Sequence, residues 1–156
     1  MESYGPAILR LMAGAMFVGH GMQKLFGAFG GGGLGPTAAY FESLGLTPGF
    51  PLAVTVGVIE FGGGLLLMAG AFTRYVSAAL IVVMLGAVWN VHLSNGFFMN
   101  WAGTPGVGHG VEYNLVTIAA LLCLALTGPG ALSIDHRRIR SAEADAAGRA
   151  RLRGKL

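Results

Sequence analysis

Cysteine is nearly absent from this chain: Cys123 is the single one in 156 residues. One cysteine forms no internal disulfide, which excludes dithiol chemistry within the chain. Its place in a long apolar run reads as a small apolar filler. Charge is scarce as well. Asp, Glu, Lys and Arg make up 11% of the residues, against about 25% in an average soluble domain. Hydrophobic residues reach 54%, and the mean hydropathy is +0.65. This excludes intrinsic disorder, which needs low hydrophobicity and high charge. It also argues against a domain with a solvated surface.

The charges that remain are unevenly spread. Between residues 3 and 134 only Arg10, Lys24, Glu42, Glu60, Arg74 and Glu112 are charged, three of each sign. From Asp135 onward the tail holds seven basic and three acidic residues. The net charge of +3 and the pI near 9.4 therefore belong to the tail. The body has no basic face, so no nucleic acid is expected as a partner.

What is present is a set of four apolar runs, over about residues 5–27, 51–72, 75–93 and 111–128. Each approaches the roughly 20 residues a helix needs to cross a bilayer. None alternates as a barrel strand would. The expected fold is therefore all-α, a polytopic membrane four-helix bundle. Residues 28–36, AFGGGGLGP, read as a glycine loop. Residues 37–44, TAAYFESL, read as a short interfacial helix in this first outer loop, with Thr37 as its N-cap. The second long loop carries Phe97, Phe98 and Trp101, which suit a membrane interface. The fourth run stops at Gly128-Pro129-Gly130. The basic tail, residues 135–156, is expected in the cytoplasm with Arg74, giving an N-in/C-in arrangement. On a tail helix Asp145 and Arg149 form an i,i+4 pair.

Polar groups inside a membrane are costly, so each needs a partner or a task. The expected topology puts His20, Lys24, Glu60, Asn90, His92 and Glu112 in the outer half, from four helices. At about 1.5 Å per residue Glu60 lies roughly 13 Å deep and His20 about 9 Å. Lys24, His92 and Glu112 lie shallower, with His109 on the loop above. Arg10, Gly14, Phe17, Gly21 and Lys24 form one stripe of the first helix, which should face the bundle interior. Arg10 falls roughly 21 Å below Lys24. It is expected in structural ion pairing, as a snorkelling anchor, or bound to helix C-terminal carbonyls. Inserted glycines such as Gly57 and Gly64 read as close helix packing.

The outer cluster has two readings. In the first it is charge compensation, Lys24 with Glu112 and His20 with Glu60. In the second it is a proton-handling cavity for a quinone or quinol. Glu60 and His20 would then be catalytic and pass protons. Lys24, His92, Glu112 and Asn90 would line the mouth, while Phe17, Phe61, Trp89 and Tyr113 pack the ring. Bis-His haem ligation by His20 and His92 is disfavoured by their different depths. No metal site is expected, because no tight motif such as HExxH is present.

Taken in order, several segments form a spaced series. Arg10 is followed by Phe17-Val18-Gly19-His20-Gly21-Met22-Gln23-Lys24-Leu25. Then come Glu60-Phe61-Gly62-Gly63-Gly64-Leu65 with Gly70 and Thr73, His92 with Gly96-Phe97-Phe98, and Glu112-Tyr113-Asn114-Leu115. The series resembles the DoxX family of small four-helix membrane proteins, over roughly residues 5–135. That resemblance implies a role associated with membrane oxidoreductases. The related DoxD proteins look like a subunit of a thiosulfate:quinone oxidoreductase. The missing cysteine pair and cofactor motif favour a subunit role. The expected function is a membrane component of an oxidoreductase system, in contact with quinone or quinol. The alternative is a non-catalytic scaffold that recruits redox partner proteins. The expected location is a bacterial inner (cytoplasmic) membrane, crossed several times. Expected partners are the lipid bilayer, redox proteins and a second copy of the chain in a homo-oligomer.

Overall fold

Six α-helices follow one another within residues 3–153, the part of the chain the computed structural model describes, and no strand occurs there. The long helices of the body are α1 (Tyr4–Phe26), α3 (Gly49–Ala69), α4 (Thr73–Ala87) and α5 (Glu112–Thr127). A shorter α2 (Leu34–Ser43) fills the first long loop, and α6 (Ile134–Arg153) follows the body. The all-α expectation holds.

The helix ends have local causes. Gly27 and Gly70 adopt left-handed backbone, at φ 70° and 65°, and return their N–H groups to the last turns of α1 and α3. Gly128 ends α5 and hands over to Pro129, which has no N–H to continue the ladder. The start of α4 is capped from a distance. Asp135 accepts the N–H groups of Phe72 and Thr73, each at 2.9 Å. A carboxylate there also opposes the positive end of the helix dipole.

Three local expectations change. The short helix starts at Leu34, not Thr37. Thr37 does not cap it; its Oγ1 donates to the Gly33 carbonyl at 2.7 Å. Pro36 lies in the first turn, where a missing N–H costs nothing. The third run does not end as a plain helix. It winds through a π-helical turn, Val88–His92, and a 3-10 turn, Leu93–Asn95. Cys123 is not an interior filler but faces outward from the bundle. The expected Asp145–Arg149 pair rests on the Asp145 side chain, which lies outside the described residues.

Packing joins α1 to α3 and α4 to α5, and α3–α4 and α1–α5 contacts close the ring. The core is formed by Phe17, Leu67, Val76, Leu80, Leu121 and Leu124 among others. The stripe on α1 is buried at Arg10, Gly14, Phe17 and Gly21, as the 3.6-residue period requires. The outer surface is apolar too: Tyr75, Val82, Val116 and Leu126 are exposed. Such a surface suits lipid and not water. Two segments, Gly49–Ala69 and Thr73–Asn95, are long and apolar enough to cross a membrane, and Glu112–Thr127 is apolar but shorter. Threonine hydroxyls within α3 and α5 are satisfied by carbonyls four residues back, at 2.8 Å for Thr55 and 2.9 Å for Thr117.

The bundle has two unlike ends. The start of α1 meets the exit of α5, where the Ala131 N–H donates to the Ser3 carbonyl at 2.9 Å. Arg10, Arg74 and α6 belong to this basic end. The opposite, loop end carries α2 and residues 96–111.

Candidate functional site

Glycine decides which charges meet. A Cβ at Gly14 would lie 2.7 Å from the Gly64 carbonyl oxygen, and one at Gly64 would lie 2.6 Å from that of Gly14. A Cβ at Gly21 would run into the Phe61 backbone. So α1 and α3 touch backbone to backbone along the stripe. Gly57, one turn before Glu60, leaves the space taken by Leu25 and the Lys24 stem.

As a result Lys24 meets Glu60, with Nζ 2.6 Å from Oε2. The Glu60 side chain is 7% exposed and that of Lys24 23%. The expected pairs, Lys24 with Glu112 and His20 with Glu60, do not form. Glu112 instead binds the loop above it. It accepts the Met99 N–H at 2.8 Å and the Trp101 indole N–H at 2.9 Å. His20 is exposed and sits at the rim of a cavity, not in a deep layer beside Glu60.

That cavity, of about 380 Å³, lies at the loop end. Its wall includes Phe17, His20, Lys24, Glu60, His92 and Tyr113, all expected at the site. The Tyr113 hydroxyl donates to the Met16 sulfur. His109 and Asn114 also line it, together with Met16, Met84, Ala87 and Met99. Trp89 is not part of it. It is 77% exposed on the outward side of the π-helical turn. Asn90 does not reach this cavity either. Its Nδ2 donates to the Gly86 carbonyl at 2.8 Å, and it lines a neighbouring groove. Phe61 packs edge-on against Phe26, with ring centroids 5.6 Å apart.

The two histidines, from the π-helical turn and the loop, have opposite hydrogen-bonding sense. His92 Nδ1 lies 2.8 Å from the His109 carbonyl oxygen. A carbonyl only accepts, so Nδ1 carries the proton of neutral His92 and Nε2 is left as an acceptor. In His109 the Asn100 N–H donates to Nδ1 at 3.2 Å. Neutral His109 therefore holds its proton on Nε2, as a donor. One wall thus offers a proton-accepting and a proton-donating imidazole beside an ion pair.

Asn114 is 3% exposed, and its Oδ1 has no hydrogen-bond partner among the described residues. A buried acceptor left unmade costs about 1–3 kcal/mol. The sequence showed Asn114 only within a four-residue segment. The available signal was an amide inside an otherwise apolar run. His109 was placed above the cluster because its contribution depends on how the loop folds back.

Arg10 forms a separate site at the basic end. It is 1% exposed. Its guanidinium donates to the carbonyls of Pro129, Leu67, Ala131 and Leu132 at 3.0, 3.3, 3.0 and 2.6 Å, and to that of Met68. Of the three expectations for Arg10, binding to helix C-terminal carbonyls is the one the structure shows, and ion pairing is not its principal contact. The end of α3 supplies unpaired carbonyls, and Arg has a planar fork of five donors to take them.

The sequence matches the DoxX family over residues 5–93, more than half of the chain. The chain belongs to the DoxX family. Several of its relatives are membrane proteins by name. The chain is 32% identical over 137 residues to the inner membrane protein YqjF of Escherichia coli, covering 87% of this chain and 93% of the relative. It is 31% identical over 131 residues to the "Putative oxidoreductase CatD" of Bacillus subtilis, covering 84% of each. It is also 31% identical over 139 residues to an uncharacterised membrane protein of Mycobacterium tuberculosis, covering 87% of this chain and 82% of the relative. No solved structure matches. The DoxX match takes in α1 to α4 up to Leu93, and so includes His20, Lys24, Glu60 and His92. Glu112, Tyr113 and Asn114 lie beyond it.

Proposed function

We propose that this DoxX-family protein is the membrane component of an oxidoreductase system and binds a quinone or quinol in the cavity at its loop end. The observation that carries the reading is that cavity's wall. It combines the Lys24–Glu60 pair with two imidazoles of opposite hydrogen-bonding sense. Its volume of about 380 Å³ falls in the range of small-ligand pockets. The orphaned Asn114 acceptor asks for a donor from outside the protein. The oxidoreductase name of a Bacillus subtilis relative points the same way.

A bound quinone or quinol supplies the two-electron, two-proton chemistry, and a partner redox protein supplies or takes the electrons. The chain's own residues do the rest. Lys24 offers an ammonium to a ligand oxygen, and Glu60 holds that ammonium in place. His92 Nε2 accepts a hydroxyl proton, and His109 Nε2–H donates to a carbonyl oxygen. His20, at the rim, passes protons between the cavity and the outside. Phe17 and Tyr113 flank the ring.

The chain crosses a bacterial inner membrane several times, with the basic end in the cytoplasm. Arg74 and the basic residues of α6 at one end follow the positive-inside pattern. The cavity then opens on the outer side.

The test uses Glu60→Gln in membranes that contain the complete oxidoreductase system. Quinone-dependent turnover is expected to fall to background while the protein remains folded in detergent. Unchanged turnover removes Glu60, and the ion pair with it, from the mechanism.

A scaffold reading finds support in α6, a polar helix held to the body through Asp135. Removing residues 141–156 separates the two readings. A scaffold loses its redox partner in pull-down, whereas a quinone site keeps its ligand.

A further inference from the structure

A second, larger cavity of about 650 Å³ lies between α2, α3 and α4. Its walls are largely apolar, with Leu52, Val56 and Ile59 from α3, Val82 and Val83 from α4, and Phe41 from α2. Nearer the basic end α3 and α4 touch, where Gly63 faces Val76 and Leu80. Toward the loop end they part, and the groove occupies the gap. Val82, 69% exposed, and the exposed Gly86 stand at its edge. The groove therefore opens sideways through the lipid-facing surface of the bundle. Its inner wall is made by Lys24, Glu60, Ala87 and His92, and the same four residues line the polar cavity. The ion pair stands between an apolar slot and a polar pocket.

We propose that this groove holds the hydrocarbon chain of a ligand dissolved in the membrane, whose polar head occupies the neighbouring cavity beside Lys24 and Glu60. The inference rests on the quinone reading and deepens it. The ligand is a long-chain amphiphile, and it enters from the bilayer.

The argument is one of matched polarity and reach. An apolar slot of this kind does not hold water stably. Facing lipid, it fills with a chain. From Leu52 to Glu60 the α3 wall runs eight residues, about 12 Å along the axis. A chain laid along it leads from the lipid to the ion pair. A headgroup arriving from water would use the polar cavity and leave the groove idle. Each methylene removed from water strengthens apparent binding about fourfold, a gain made on entering the bilayer and kept in the groove. The chain thus concentrates and aligns the ligand, and the head supplies selectivity.

Gly86 makes the idea testable without unfolding the protein. Nothing lies within 4 Å of a Cβ placed there, so Gly86→Leu fits its helix and narrows the groove mouth. The full chain is placed in nanodiscs of phosphatidylcholine and phosphatidylglycerol, with empty nanodiscs as the partition control. Two probes with one head are titrated, decylubiquinone and chainless ubiquinone-0. Counted against probe in water, the native chain is expected to bind decylubiquinone at least a hundredfold more tightly, and comparison with Gly86→Leu, in which partition cancels, isolates the share of the groove. Gly86→Leu should weaken decylubiquinone at least tenfold and leave ubiquinone-0 unchanged. Lys24→Met should weaken both probes together. Equal affinities in the native chain, or decylubiquinone binding indifferent to Gly86→Leu, overturns the groove assignment while the quinone reading stands. If neither probe binds the native chain, both fall. If excess phosphatidylglycerol displaces decylubiquinone as well as unlabelled decylubiquinone does, the groove takes any lipid chain and the coupling to the head is wrong.

Discussion

Arg10 and Lys24 sit on one stripe of one helix, 14 residues apart, and are buried in opposite ways. Arg10 is fully enclosed and binds five backbone carbonyls from the end of α3 and residues 129–132. It ties three chain segments together at the basic end. Lys24 has one carboxylate partner and lines two cavities. A planar fork with five donors suits a fixed knot of carbonyls, whereas a compact ammonium on a flexible stem can turn toward a ligand. The same charge on the same helix face thus closes a knot of carbonyls at one end and lines two cavities at the other.

That contrast can be broken. The largest effect is expected from Arg10→Ala, which leaves several buried carbonyls unpaired. It should cost at least about 3 kcal/mol, since a hydrogen bond to a charged group is worth roughly 1.5–3 kcal/mol. Unfolding in mixed detergent reads the loss. A change within about 0.5 kcal/mol would show that the knot is not structural.

Lys24→Met comes next. It strands a buried carboxylate and, because Lys24 is part-exposed, should destabilise the chain by no more than about 3 kcal/mol, the low end for a buried pair. Adding Glu60→Gln removes the stranded charge, and the double variant is expected to recover most of that stability. Its quinone binding should stay lost. Recovery of both would make the pair a structural device like Arg10, and the contrast would disappear.

Trp89→Ala is expected to do least. The ring faces outward, so stability and quinone binding should stay within about 0.5 kcal/mol of the native chain. A tenfold loss of quinone affinity would instead return Trp89 to the ring-binding wall.

The legible part of this fold followed from periodicity and solvent. The 3.6-residue spacing of Arg10, Gly14, Phe17, Gly21 and Lys24 identified the inward face of α1, and that face is buried. The apolar runs located the long helices to within a few residues. Glycine and proline marked where they stop. The partners of the charges were less legible. Depth along a helix placed Lys24 nearest Glu112, because it counts only rise per residue. The lysine stem lies over Gly57 and carries the ammonium back to Glu60. Trp89 was named for the ring by residue type, and it faces outward from the π-helical turn. Asn114 went unassigned because an unmade hydrogen bond is a property of surroundings, not of residue type.

The amino-acid sequence by itself determined the solvent, the helices and the inward stripe. Each depends on hydrophobicity and repeat, which are local quantities. It also determined the scarcity of charge, and so confined the candidate chemistry to a few side chains. Only the tertiary structure decided that Lys24 closes on Glu60, that the loop folds His109 onto His92, and that α3 and α4 part to leave a groove. Those outcomes depend on backbone separations of a few ångströms, set where glycines let helices touch and where larger residues hold them apart.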